Sequence, residues 1–204
     1  HAIYLNCDTL EYELVPVKLD GIKIVIANTN SPHKLDSGVY NQRVAECMAA
    51  VKEINRHIPI KMLADCTMDE FSKIEDEFED KVAMRRARHV ISEIARTQEA
   101  VDQLKVNNID RFGQLMNESH TSLRDDYEVT GFELDTMVEE AYKIPGVIGS
   151  RMTGGGFGGC TVSLVRDEAV DTFISETGKN YSAKTGLNPE FYVAEISDGA
   201  KKLF

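Results

Sequence analysis

Apolar positions recur along the chain with two spacings, and the changes of spacing mark the elements. Short apolar runs at Ile3–Leu5 and Tyr12–Val17 predict two strands with a turn near Asp8-Thr9. Ile22–Asn28, lined with Ile22, Ile24, Val25 and Ile26, predicts a stronger strand. The spacing then becomes helical. Asp36-Ser37 is placed to cap a helix reaching about Arg56, with Val44, Cys47, Met48, Val51 and Ile54 as its stripe. Thr67-Met68-Asp69-Glu70 has the pattern of a capping box and predicts a helix through the acidic stretch Asp69–Asp80. A long helix is expected over Lys81–Lys105, with Ala83, Ala87, Val90, Ile91, Ile94, Val101 and Leu104 inward. Another follows over Ile109–Leu123. Thr130-Gly131-Phe132-Glu133 repeats the capping box ahead of Leu134, Met137, Val138 and Ala141, and Pro145-Gly146 ends that segment.

The last third changes character. Val147–Met152 and Cys160–Val165 read as strands flanking a glycine-rich turn. Asp167 is placed to cap a helix with Val170, Phe173, Ile174 and Tyr181 inward, and Pro189–Ile196 reads as a final strand. The order is three strands, a block of helices, two strands, a helix and a strand. An antiparallel sheet covered by helices fits it, so the expected class is α+β.

Composition narrows the picture. A chain of 204 residues buries roughly 70% of its unfolded surface on folding, enough for a core without disulfide or metal staples. With 42% hydrophobic and 28% charged residues, global disorder is excluded. The net charge of -11 is the wrong sign for a phosphate-backbone binder, so nucleic acid and anionic membrane are poor partners. A small anion held by backbone donors stays compatible with it. Cys7, Cys47, Cys66 and Cys160 match no zinc or CxxC spacing. They read as buried reduced thiols, which suits a cytoplasmic protein. No apolar run approaches the ~18 residues that span a bilayer. With Asp8, Glu11, Glu13 and Asp20 in the first 30 residues, no signal peptide is visible. The first residue is His1 rather than methionine, and the chain is read as a fragment or processed product.

Three segments are candidates for chemistry. In Thr153-Gly154-Gly155-Gly156-Phe157-Gly158-Gly159, the glycines satisfy G-x-G-x-x-G. A dinucleotide fingerprint needs a helix directly afterwards, and a strand follows here; a Walker loop needs Lys-Ser/Thr, which is absent. Two readings stay open: a nest of backbone amides for an anion, or a tight connection whose glycines serve packing. Asn28-Thr29-Asn30-Ser31-Pro32-His33 links a buried strand to a helix and offers either capping or ligand contact. Ser119-His120 through Asp125-Asp126-Tyr127 suggests a serine hydrolase, but helix neighbours do not face each other and no G-x-S-x-G exists. Asp125-Asp126 lacks a second acidic cluster for a metal. Arg85, Arg86, Arg88 and the acidic stretch read as solvated helix faces. His1, His57 and His89 have no companions that suggest catalysis.

Taken together, four segments carry a resemblance. They are Asn28 to Cys47, Arg86-Ala-Arg-His-Val90, Leu115 to Val129, and Gly149-Ser-Arg-Met-Thr-Gly-Gly-Gly-Phe-Gly-Gly-Cys160. Together they resemble the galactokinase family of GHMP small-molecule kinases, and the last is similar to the third GHMP motif. Asp198-Gly-Ala-Lys-Lys-Leu203 is similar to the family's usual ending. Galactokinases are about twice this long, and their sugar signature, second motif and catalytic aspartate lie in an N-terminal half not found in this sequence.

The resemblance implies a GHMP-kinase C-terminal domain over 21–204, ferredoxin-like, with a helical insertion. Residues 1–20 would join or pack on the N-terminal domain. It implies a parent enzyme that moves the γ-phosphoryl group of ATP, with Mg²⁺, to the anomeric hydroxyl of galactose. No catalytic residue and no metal ligand would belong to this chain, which would be inactive alone and bind neither cofactor. Tyr40 matches the family's sugar-contacting tyrosine. Thr153, Gly154, Gly155, Gly156, Gly158 and Gly159 match the motif near the phosphates. A non-catalytic, galactokinase-like sugar sensor or binding module is the alternative. The face left without its N-terminal domain would favour self-association.

Overall fold

In a computed structural model, residues 1–31 and 37–196 are described, apart from the side chain of Ser37. The helix cap expected at Asp36, the Pro32-His33 part of the second candidate and the family-like ending from Asp198 lie outside them.

The α+β expectation holds. β3 (Ile22–Asn28), β4 (Val147–Thr153), β5 (Cys160–Arg166) and β6 (Glu190–Ala194) form one antiparallel sheet in the order β4-β5-β3-β6. β3 pairs along its length with β5, from Ile22 against Arg166 to Asn28 against Cys160. Its side chains alternate in facing, so one strand serves two cores. Val25 joins Val165, Ala141, Ile144 and Phe173 on one face. Ile24 joins Leu164, Leu104, Ile109 and Met116 on the other. β1 (Ala2–Leu5) and β2 (Tyr12–Val15) form a separate hairpin. Its inner residues Ala2, Tyr4 and Val15 pack on the second core. Its outer residues Ile3, Leu5, Tyr12 and Leu14 are exposed.

Between β3 and β4 lies the helical block: α1 (Ser37–Ile54), α2 (Met68–Ile74), α3 (Lys81–Lys105), α4 (Ile109–Asp125) and α5 (Phe132–Tyr142). At 25 residues, α3 is about 37 Å long and joins two cores. Its first half packs Ala83, Ala87 and Ile91 against α1 and α2. Its second half sets Val101 and Leu104 under the sheet.

β4 lies at one edge of the sheet, and the helices cover it. The Ser150 amide donates to Asn117 Oδ1 of α4 at 2.9 Å, and the Met152 amide to His120 Nδ1 at 3.2 Å. Tyr142 of α5 donates its hydroxyl to the Ser150 carbonyl at 2.9 Å. These bonds satisfy groups that an edge strand otherwise offers to another chain. The approach of α4 is close because two glycines meet. A Cβ on Gly113 would lie 2.4 Å from the Ile148 oxygen, and one on Gly149 2.4 Å from the Gly113 oxygen.

Several boundaries differ from expectation. The capping box at Thr67 forms, with the Thr67 amide donating to Glu70 and the Glu70 amide to Thr67. α2 nevertheless stops at Ile74, followed by a 3-10 turn over Glu75–Glu77. The reason is Asp80, whose carboxylate accepts from the Val82 and Ala83 amides and starts α3, so the chain must leave helical geometry before it. At α5 the cap position is Gly131, at φ +90°, and Thr130 is buried without capping. Asp167 opens a 3-10 turn rather than capping an α-helix. The segment continues as α6 (Val170–Thr172), a π turn and α7 (Gly178–Thr185). Ile94 is exposed, and on α1 so are Val44 and Met48. The face of α1 that meets α3 instead holds Cys47, Ala50, Val51 and Ile54. All four cysteines are unbridged, but only Cys66 is buried and Cys7 is exposed. No described helix is long and apolar enough to cross a membrane.

Candidate functional site

The glycine turn divides into two halves. Thr153, Gly154 and Gly155 are exposed, and a Cβ on either glycine would meet nothing within 4 Å. Gly156, Gly158 and Gly159 are buried. A Cβ on Gly156, at φ +81°, would sit 2.0 Å from the Val129 carbonyl oxygen. The Phe157 amide donates to that same oxygen at 2.8 Å, with Phe157 itself at φ +56°. Thr29 holds the far end, donating its amide and its hydroxyl to the Gly159 carbonyl at 2.9 and 2.6 Å. The Tyr181 hydroxyl then donates to the Thr29 carbonyl at 2.8 Å. The two halves of this turn thus differ. Gly156 is required by packing, Gly158 and Gly159 are buried at positive φ, and Thr153–Gly155 lie exposed with Gly154 itself at φ +84°.

Tyr40 stands on the first turns of α1 and is 72% exposed, and Val44 and Met48 continue the same exposed stripe. Three residues on, Arg43 donates Nε to the Tyr127 carbonyl at 2.7 Å and Nη2 to the Glu128 carbonyl at 2.9 Å. The segment that receives Arg43 is therefore the one on which the glycine turn rests.

The same junction holds Arg86, which is buried. It donates to the Asp126 carbonyl, to Glu46 Oε2 at 2.7 Å and to Glu128 Oε2. The reading of Arg86 as a solvated residue is corrected here. A guanidinium with five donors can be buried because carbonyl and carboxylate oxygens surround it. Burial works against ionisation of Glu46, but hydrogen bonds from Arg86 and Gln42 and the nearby Arg43 leave its carboxyl below the usual range. The Arg86 hydrogen bond lowers Glu128 likewise. Arg88 does pair with the acidic stretch, through Glu75.

His89 is buried, shares a 3.0 Å hydrogen bond with Ser122 and stacks on Tyr127 at 4.4 Å. Burial pushes its pKa down to about 4. His120 accepts from Met152 at Nδ1, so Nε2 carries its proton, 3.3 Å from Asp135. Ser119 donates to Glu93, not to His120, and the hydrolase reading falls on geometry. Asp125 pairs with Arg124. Among the described residues, no group of three His, Cys, Asp or Glu could hold a metal.

An apolar cavity of about 410 Å³ opens between the hairpin, α3, α4 and the sheet, with Glu93, Arg96, Ser119 and Arg151 at its polar end. Neither Tyr40 nor the glycine turn lines it. Sequence reasoning missed Arg43, Arg86 and Glu128 as supports of the site. For Arg86 there was a signal, since it falls on the Ala83, Ala87, Val90 stripe of α3.

Residues 99–183 match the family model described as GHMP kinases C terminal. The chain is 52% identical to a galactokinase of Fusobacterium nucleatum over 204 residues, all of this chain and 52% of the relative. It is 47% identical to a galactokinase of Bacillus subtilis, covering 100% of this chain and 52% of that one. A crystal structure of Lactococcus lactis galactokinase complexed with galactose matches it with a TM-score of 0.92 and 45% identity. That match covers 98% of this chain and 52% of the other. The chain spans about half the length of the curated relatives it matches.

Proposed function

We propose, from a chain whose residues 99–183 match the family model described as GHMP kinases C terminal, that it is the C-terminal half of a galactokinase. The parent enzyme would transfer the γ-phosphoryl group of ATP to the anomeric hydroxyl of galactose. The observation that carries this reading is the TM-score of 0.92 to a galactose-complexed galactokinase over 98% of the chain, supported by near-complete coverage at 47–52% identity to curated galactokinases.

The chain's own contribution is a wall of the site. The exposed phenol of Tyr40 offers a hydroxyl and an apolar ring face, a combination suited to a sugar. The exposed backbone of Thr153–Gly155 suits the phosphate end of ATP, where its amides would meet developing negative charge. ATP supplies the phosphoryl group. None of the described residues forms a cluster suited to Mg²⁺. The outer face of the hairpin, Ile3, Leu5, Tyr12 and Leu14, is where 1–20 would meet the N-terminal half, and 21–204 would form the C-terminal domain. The proposed setting is the cytoplasm.

A coupled assay tests the reading. The full-length product should form galactose 1-phosphate from galactose and ATP, and the 204-residue chain alone should form none. Turnover by the chain alone would refute the division of labour. Galactose binding by the full-length product without phosphorylation would favour a sugar-sensing module in place of the enzyme.

A further inference from the structure

Four consecutive carbonyls, Asp126 to Val129, are each taken by a donor from elsewhere in the fold. Arg86 of α3 takes Asp126, Arg43 of α1 takes Tyr127 and Glu128, and the Phe157 amide of the glycine turn takes Val129. The chain turns sharply there, with Glu128 at φ +55°, a conformation that a non-glycine residue adopts only when its surroundings impose it. Glu46 Oε2 sits between the two arginines, 2.9 Å from Arg43 Nη1 and 2.7 Å from Arg86 Nε. Among the described contacts, the carbonyls of Tyr127, Glu128 and Val129 connect the Tyr40 helix to the glycine turn by a route three residues long.

We propose that Arg43 is a positioning residue that sets the distance between the sugar-contacting Tyr40 helix and the phosphate-facing glycine turn. The inference rests on the galactokinase reading for the roles of those two ends, but not for the connection itself. Arg43 is suited to the task because a guanidinium presents its donors in a rigid planar fork. Two of them fix two successive carbonyls, and a third is held by Glu46. Removing that fork leaves α1 free to shift by fractions of an ångström relative to the turn. A displacement of that kind costs a phosphoryl transfer far more than it costs the fold.

The diagnostic substitution is Arg43→Lys. Lysine keeps the charge opposite Glu46, but its donors sit on one nitrogen and cannot reproduce the planar fork with which Arg43 uses three nitrogens for two carbonyls and Glu46. In the full-length protein, hydrogen exchange is read on the peptide covering 154–160 and on the β3–β5 ladder as an internal reference. Arg43→Lys should raise exchange at 154–160 while leaving Val25 and Leu164 protected. It should also lower kcat/KM for galactose by roughly ten- to a hundredfold, with kcat falling as well as galactose KM rising. Unchanged exchange at 154–160 overturns the connection, even if turnover falls. Exchange rising everywhere, reference strands included, also overturns it, because Arg43 would then be a general stabiliser. A wild-type protein that forms no galactose 1-phosphate refutes the galactokinase reading, and the exchange result still decides whether Arg43 positions the turn.

Discussion

The two halves of the glycine turn differ in what their glycines are for. At Gly156 a side chain is forbidden by a backbone oxygen and by a positive φ. At Gly155, one residue earlier, a side chain would enter open space and φ is not left-handed. A run of glycines that looks uniform in sequence thus contains a buried part, seated on Val129 and Thr29, and an exposed part in which Gly154 is still held at φ +84° while Gly155 has neither a close neighbour nor a left-handed φ. The lesson is that density of glycine marks a place, while only the surroundings tell which of them the fold needs.

The largest test of that difference is Gly156→Val. Its branched side chain would meet the Val129 oxygen and the unfavourable φ together. Urea unfolding should show a loss of about 4 kcal/mol or more; near-wild-type stability would erase the distinction between the halves. Next comes the support beneath the buried half. His89, stacked on Tyr127, titrates near 4 in the folded chain because burial disfavours its cation, whereas an unfolded histidine titrates near ~6.5. As pH falls the unfolded chain therefore takes up this proton first. The stabilisation is complete above pH ~6.5 and is lost as pH falls toward about 4, on the order of 3 kcal/mol in all. Stability curves of wild type and His89→Gln should converge across that window, and parallel curves would show that His89 is not the group responsible.

Arg86→Met should cost less, about 2 kcal/mol. It leaves Glu46 without its closest donor, but Glu128 on the other side is half exposed and water can replace part of the pairing. Thermal unfolding measures this, and a stabilised variant would mean that desolvation of the guanidinium outweighs its bonds. The smallest structural effect belongs to the exposed half. Gly155→Ala and Tyr40→Phe should each change unfolding free energy by less than ~0.5 kcal/mol. In the full-length protein the first should weaken ATP use and the second galactose use. Unaltered kinetics in both would remove Thr153–Gly155 and Tyr40 from the proposed site.

Much of the fold was legible because its elements have strong periods. β3 and α3 appear where alternation and helical spacing place them. The misjudged boundaries come from local signals that compete. Thr67 and Asp80 both start helices, and the second one ends the first. Val44 and Met48 have helical spacing but lie on a face of α1 that stays largely exposed in the described structure. The wiring among the proposed site segments was not legible in the sequence. The segments around Asn28, Tyr127 and Gly154 stood out separately in the sequence, but hydrogen bonds from Thr29 to Gly159 and from Phe157 to Val129 span 130 and 28 residues. Main-chain carbonyls carry most of these links, and a carbonyl has no letter of its own in a sequence.

The covering of β4 has a consequence for assembly. Asn117, His120 and Tyr142 occupy its outer polar groups, whereas β6 ends the sheet on the other side without a further strand among the described residues. Among the described residues, extension of this four-stranded sheet by strand addition is therefore open at β6 and closed at β4. Two copies joined there would present closed margins at both ends, so such growth terminates at a pair instead of propagating as a filament.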